Sequence, residues 1–208
     1  MLQLITSQER FDQEQLDAWR RGQREDIIRL AGSAHLRGVL KLKSSSRKKL
    51  TARFFGESYI ASLNSGCSGF YGSFKWLTNA RFSGLEEFPK GPAKPFQQAL
   101  RDALHKHFAQ PAVLEVQRAA LGLHRQQFAA LGGKKPTAPD LWLIDQQEQH
   151  RFIEAKLPGD SLSPHQVAGL ALLAACFGAR HSVSVEVVEL RPRYEELFET
   201  FRRSIAAG

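Results

Sequence analysis

Three ionisable side chains stand out by type and spacing: Asp140, directly after Pro139, and then Glu154 and Lys156 with only Ala155 between them. All three fall at or inside short apolar runs, Leu141 to Ile144 and Phe152 to Leu157, where charge is costly unless something matches it. Glu154 and Lys156 are two apart on a predicted strand and therefore project from one face. A divalent cation would match the set, because one Asp, one Glu and a backbone carbonyl are hard oxygen donors of the kind that Mg²⁺ or Mn²⁺ takes. A protonated lysine is no ligand, but beside a metal it can orient or deprotonate an attacking water and stabilise charge on a phosphate. The bland alternative for the same residues is a structural ion pair.

The elements that must position this set are legible around it. The two apolar runs, separated by the polar stretch Asp145 to Arg151, read as adjacent antiparallel strands. Ser163-Pro164 opens a helix, serine as N-cap and proline at the first position, that runs to Phe177 and stops at Gly178. Ser182 to Leu190 reads as a buried strand and Arg193 to Ile205 as a final amphipathic helix. Upstream, Phe96, Leu100, Leu104 and Phe108 recur every fourth residue along a helix ending before Pro111, and Val113, Leu114 and Val116 suggest a strand. The order helix, three strands, helix, strand predicts an α/β class with a mixed sheet flanked by helices. Pro92 and Pro95 suggest a boundary, so residues 91–208 are expected to form the core domain and residues 1–90 an N-terminal α+β elaboration packed on it. In that elaboration, helices are expected at 8–21 and 23–31. Strands are expected at His35 to Lys43 and Leu50 to Leu63, joined by a polar turn, and an aromatic-rich irregular segment at 64–92.

Charge adds a second line of argument. The chain has 208 residues, 42% hydrophobic and 24% charged, ordinary globular material rather than a disordered or fibrous one. Its formal net charge is +8, and the excess is uneven: 15 Lys/Arg against 9 Asp/Glu in residues 1–90, 14 against 12 in the rest. Between Ile27 and Gly56 there is no acid, yet Arg29, Arg37, Lys41, Lys43, Arg47, Lys48, Lys49 and Arg53 all lie there. Such a field attracts polyanions, nucleic acid first, although a solvated basic face with no partner carries the same charges. No apolar run is long enough to span a bilayer, and the opening MLQLITSQERFDQE has acids where a signal peptide needs an apolar stretch, which predicts a cytoplasmic location and no membrane partner. Two cysteines, Cys67 and Cys176, are too few for a disulfide framework.

Taken together, Pro139-Asp140 and Glu154-Ala155-Lys156 resemble the signature of the PD-(D/E)XK nuclease superfamily, the restriction-endonuclease-like fold. The continuation FIEAKLPGDSLSPHQ, Phe152 to Gln166, is similar to the VRR-NUC (virus-type replication-repair nuclease) branch, whose members carry a Pro-Gly/Asn-Asp turn, Leu-Ser and a glutamine opening the next helix. The resemblance covers roughly residues 93–190. It implies that Asp140, Glu154 and the Ala155 carbonyl hold Mg or Mn, that Lys156 is the catalytic lysine, Gln166 an active-site glutamine and Ser163 a helix cap near phosphate. Ser-x-x-Gln is equally the signature of a plain capping box. Family members also supply a glutamate from the first core helix, where the helix at 96–108 offers only Gln97, Gln98 and Asp102. Glu86, Glu87 and Glu115 are the candidates to replace it, with Glu115 on the expected first strand preferred.

The expected activity is metal-dependent hydrolysis of phosphodiester bonds in DNA, structure-specific on branched or flapped substrates by the same resemblance. Arg37, Lys41, Lys43, Arg47, Lys48, Lys49 and Arg53 would grip phosphates without reading bases. Two other readings stay open: a non-catalytic nucleic-acid-binding module that has lost the first-helix acid, and a nuclease acting as a toxin or phage-defence effector. An immunity partner protein would mark the toxin reading and a repair partner the repair reading, and a homodimer is expected where a small nuclease needs a second copy to grip a duplex.

Overall fold

The computed structural model describes residues 4–45, 51–126, 134–178 and 182–194, with residues 198, 202, 203 and 205. In chain order the elements are β1 (Leu4–Phe11), α1 (Gln13–Arg20), α2 (Glu25–Leu30), α3 (Ala34–Ser45), α4 (Phe55–Leu63), β2 (Ser68–Tyr71), α5 (Lys94–Phe108), α6 (Gln110–Gln126), β3 (Leu141–Ile144), β4 (His150–Lys156), α7 (Pro164–Phe177) and β5 (Val183–Pro192). Two short 3-10 helices, Trp76–Thr78 and Ala80–Ser83, lie between β2 and α5.

One five-stranded mixed sheet, in the order β1-β5-β4-β3-β2, organises the molecule. β1 and β4 run parallel to β5, while β3 is antiparallel to both β4 and β2. The expected hairpin of β3 and β4 is present, with Leu141 opposite Ile153 and Trp142 opposite Phe152. From residue 94 onward the order is helix, helix, two strands, helix, strand rather than the expected helix, three strands, helix, strand; the third strand beside β3 and β4 is β2, which α5 and α6 separate from them in the chain. Both edge strands come from residues 1–90 and share the sheet with β3, β4 and β5, so no gap in the sheet falls at residue 91.

The register sorts side chains onto two faces. Phe70, Trp142 and Phe152 line one of them, with Phe70 stacked on Trp142 at 5.0 Å and Trp142 on Phe152 at 5.8 Å. That layer meets Phe108 at the end of α5 and Phe177 at the end of α7, whose rings stack at 4.0 Å. Leu141, Leu143, Ile153, Val188 and Leu190, all buried, alternate with these residues and line the other face. There α3 and α4 cover them, with Leu36 against Leu143 beside Gly69 and Gly56 against Ala155 and Leu190.

Several expected elements differ, each for an identifiable reason. His35 to Lys43 is helix α3, because Leu36, Val39 and Leu40, all 0% exposed, fall at i, i+3 and i+4 and form a helical stripe despite their partial alternation with basic residues. The expected strand at Leu50 to Leu63 is helix α4 from Phe55 onward, since Phe55, Tyr59 and Ile60 pack at i, i+4 and i+5 and tertiary burial outweighs the β-preference of aromatics. Val113, Leu114 and Val116 lie on α6 rather than on a strand: Pro111 opens that helix, and Ala109, at φ 62°, separates it from α5. The segment 64–92 contains strand β2, and residues 4–11 are strand β1, so the first helix starts only at Gln13, after the cap Asp12. The polar turn with Arg47, Lys48 and Lys49 and most of the expected final helix lie outside the described residues.

Candidate active site

Asp140 reaches the site at the end of a tightly guided strand entry. A Cβ at Gly169 would stand 1.8 Å from the Thr137 carbonyl oxygen, so only glycine lets the segment before Asp140 cross α7 this closely. Thr137 N–H donates to the His165 carbonyl at 3.1 Å, and Gly72 N–H to the Asp140 carbonyl at 2.8 Å, pinning the entry from both sides. The Asp140 carboxylate then accepts the Ala155 N–H at 3.0 Å, which ties the start of β3 to the end of β4.

On β4, Glu154 and Lys156 share a face and are 3% and 8% exposed. Lys156 Nζ donates to Glu154 Oε1 and to Gln166 Oε1, each at 3.1 Å. Gln166, in the first turn of α7, closes the triangle by donating from its amide to Glu154 Oε1. The same Gln166 carbonyl oxygen accepts from the Ser163 N–H at 3.0 Å and from the Ser163 hydroxyl at 2.8 Å. Cap and site are therefore one arrangement: the helix start that Ser163 fixes is what delivers the glutamine amide to Glu154 and Lys156.

A third carboxyl faces this group from α4. Glu57 is pushed well above the ordinary carboxylate range by burial first and by the Asp140 and Glu154 charges next, with Arg53 opposing. Asp140 is raised by burial, against the Ala155 N–H and Lys156, and Glu154 is raised by burial and by Asp140, against Lys156. Gly56 allows α4 this close, since a Cβ there would already stand 3.3 Å from the Ala155 Cβ. A cavity of about 170 Å³ opens between the two elements, lined by Arg53, Glu57, Asp140, Ala155 and Asp160 among others. Among the described residues no three His, Cys, Asp or Glu side chains are gathered into a ready metal cage. The donor chemistry nevertheless suits a hard divalent cation: the carboxyls are buried and hard to ionise without a counter-charge, which a cation would supply, and the intervening Ala155 adds a carbonyl.

Glu57 is a carboxyl beside Asp140 that was not among the acids expected from the sequence. It was hidden by reading 50–63 as a strand; the helical spacing of Phe55, Tyr59 and Ile60 in FFGESYIASL was the available signal. Glu115, by contrast, sits on α6, and Glu86 pairs with Arg81 at 3.6 Å. The basic residues divide by what they touch. Arg37 donates to the Ala31 and Gly32 carbonyls, Lys41 pairs with Glu25 at 3.0 Å, and Lys43 lies over Phe74 at 5.2 Å. Arg53, exposed and stacked over Phe54 at 5.2 Å, stands at the mouth of the carboxyl cavity.

Residues 94–190 match the family model of the VRR-NUC domain. This segment is similar to that domain, and it contains Asp140, Glu154, Lys156 and Gln166. The family is one of nucleases, and the mixed α/β sheet agrees with the restriction-endonuclease-like fold. Helix α4 with Glu57 and strands β1 and β2 lie before the matched segment. No curated protein and no solved structure matches the chain. No helix among the described residues is long and apolar enough to cross a membrane.

Proposed function

We propose that this chain is a divalent-metal-dependent nuclease that hydrolyses phosphodiester bonds in DNA, with Mg²⁺ or Mn²⁺ held by Asp140, Glu154, the Ala155 carbonyl and Glu57. The observation that carries the reading is geometric: Asp140 at the start of β3 is tied to Ala155 on β4, Glu154 is bonded to Lys156 at the end of β4, and Glu57 of α4 lines one cavity with Asp140 and Ala155. A cation bound there supplies positive charge for the phosphate and lowers the pKa of water. Asp140, anchored by the Ala155 N–H, fixes the height of the donor set against β4. Lys156 is held by Glu154 and Gln166 with its ammonium at the same point, so it can give a hydrogen bond to a phosphate oxygen and orient the attacking water. Gln166 holds both partners in place and, at a helix N-terminus, adds a neutral donor in a positive field. Arg53 at the cavity mouth suits the flanking phosphate, and the basic segment from Arg37 to Lys49 would add further phosphate contacts. Glu57 favours the catalytic reading over a non-catalytic module, which rested on a missing acid.

The test uses labelled linear, nicked, flapped and four-way DNA with and without Mn²⁺. Cleavage should require the metal, and Asp140→Ala, Glu154→Ala and Lys156→Ala should each abolish it without loss of fold by circular dichroism. Lys156→Ala should keep the parental Mn²⁺-induced rise in Tm, which the two ligand variants lose. Parental cleavage by all three variants would show that the site is elsewhere.

A further inference from the structure

A second hollow adjoins the site. It has a volume of about 480 Å³, and Ala52, Leu157 and Asp160 line both it and the cavity that holds Glu57 and Asp140. Leu157 directly follows Lys156, so the hollow begins one residue from the lysine. Its floor is apolar, with Phe11 at 0% and Leu16 at 5% exposure, while Tyr194 stands at its rim 47% exposed. Gln13, Arg20 and Asp160 are the polar and charged groups that line it, Gln13 and Arg20 both donating to Asp17 Oδ1. A flat body with apolar faces and polar edges matches this lining, and the volume lies in the range of small-ligand sites.

Resting on the nuclease reading above, we propose that this hollow receives the base of the nucleotide flanking the scissile phosphate, turned out of its stack against Tyr194, Phe11 and Leu16. The continuity of the two cavities makes it a nucleotide adjoining the cut: a phosphate at the mouth of the cavity that holds Glu57 and Asp140 places its neighbouring sugar at Leu157, and the base beyond it in the hollow. The preferred substrate then has an unpaired nucleotide beside the cut, as at a flap junction or frayed end, since an already unpaired base enters without the cost of unstacking.

The experiment compares flapped DNA with the same DNA carrying a single abasic nucleotide on either side of the mapped cut, for the parental chain, Tyr194→Ala and Gln13→Trp, the last to fill the hollow. For the parental chain, the abasic site on one side of the cut should lower kcat/KM about tenfold, as expected for losing one stacked base. Each variant should lose about as much on intact DNA and lose nothing further on abasic DNA, because base and pocket form one interaction. Equal cleavage of abasic and intact DNA by the parental chain, or losses that multiply in the variants, would overturn the proposal. A parental chain that cuts none of these DNAs with Mn²⁺ defeats the nuclease reading instead. The hollow is then judged by a 2-aminopurine placed as a single unpaired nucleotide: quenching that Tyr194→Ala abolishes supports it, and absence of quenching overturns it.

Discussion

At the scale of single residues, the site is held under electrostatic load. Glu57, Asp140 and Glu154 are each harder to ionise in the folded chain than in solution, and the charge of one carboxyl raises the next. An acid whose folded pKa is raised costs stability at neutral pH, because the unfolded chain ionises it freely and the folded chain does not. Glu57→Gln removes one such charge without changing shape. In the absence of metal this variant should melt about 3 °C higher, the equivalent of about 1 kcal/mol for a chain of this length. The Mn²⁺-induced rise in Tm should shrink and cleavage should fall at least about 100-fold, in keeping with a lost contact to the reacting charge. Differential scanning fluorimetry with and without Mn²⁺, beside a cleavage assay, reads all three. A variant that melts lower without metal and still cuts would remove Glu57 from the site. Asp140, Glu154, Lys156 and Gln166 were legible in the sequence because strand pairing and a helix cap are local patterns, and local patterns bring them together. Glu57 was not, because its approach depends on how α4 docks on β4, a contact made across nearly a hundred residues.

At the scale of elements, the site strands, the segments after them and the helices α1, α2 and α5 are readable in the sequence, whereas β1, β2, α3, α4 and α6 are not. β3, β4, α7 and β5 have boundaries set by nearby signals: an apolar run, a Ser-Pro start, a glycine stop. Helix α3 has no such signal, as Leu36, Val39, Leu40 and Leu42 fit both a strand and a helix, and burial against β2 and α5 decides between them. The same burial places His35 between Phe70 and Phe96, at ring distances of 4.9 and 5.8 Å, with neither ring nitrogen hydrogen-bonded. Desolvation there lowers its pKa from 6.5 to about 4. The unfolded chain therefore takes up a proton near pH 6.5 that the folded chain refuses until about pH 4. The stability that goes with a neutral His35 is complete above pH 6.5 and is lost as pH falls toward 4, at a limiting slope of about 1.4 kcal/mol per pH unit. His35→Phe should flatten that slope while leaving cleavage at pH 7.5 unchanged. Urea midpoints at pH 7.5, 6.0 and 5.0 for both chains measure it, and parallel curves would mean that His35 is already charged in the folded protein.

At the scale of the whole molecule, the question is which residues fold together. Sequence composition suggested a boundary near residue 91, and the matched family segment begins at Lys94, yet the sheet takes both its edges from upstream. β1 pairs along its full length with β5, from Leu4 opposite Val185 to Phe11 opposite Pro192, and β2 pairs with β3 from Ser68 to Tyr71. Removing residues 1–90 would strip both strands and leave β3 and β5 as bare edges, which invite pairing with other chains. It would also remove α3 and α4, uncovering Leu141, Leu143, Ile153, Val188 and Leu190 on one face of the sheet. An apolar face of that extent is not tolerated in water by a soluble domain. We therefore propose that the nuclease unit starts upstream of Lys94 and includes α4 with its Glu57. Residues 91–208 expressed alone should aggregate, or remain soluble only as a species that binds ANS and melts without a cooperative transition, whereas the full chain should melt cooperatively. Adding Mn²⁺ should not rescue the fragment, because the α4 carboxyl is missing along with the packing. A fragment that unfolds cooperatively within a few degrees of the full chain would establish residues 1–90 as a separable elaboration, and would require the metal donor set to be complete without Glu57.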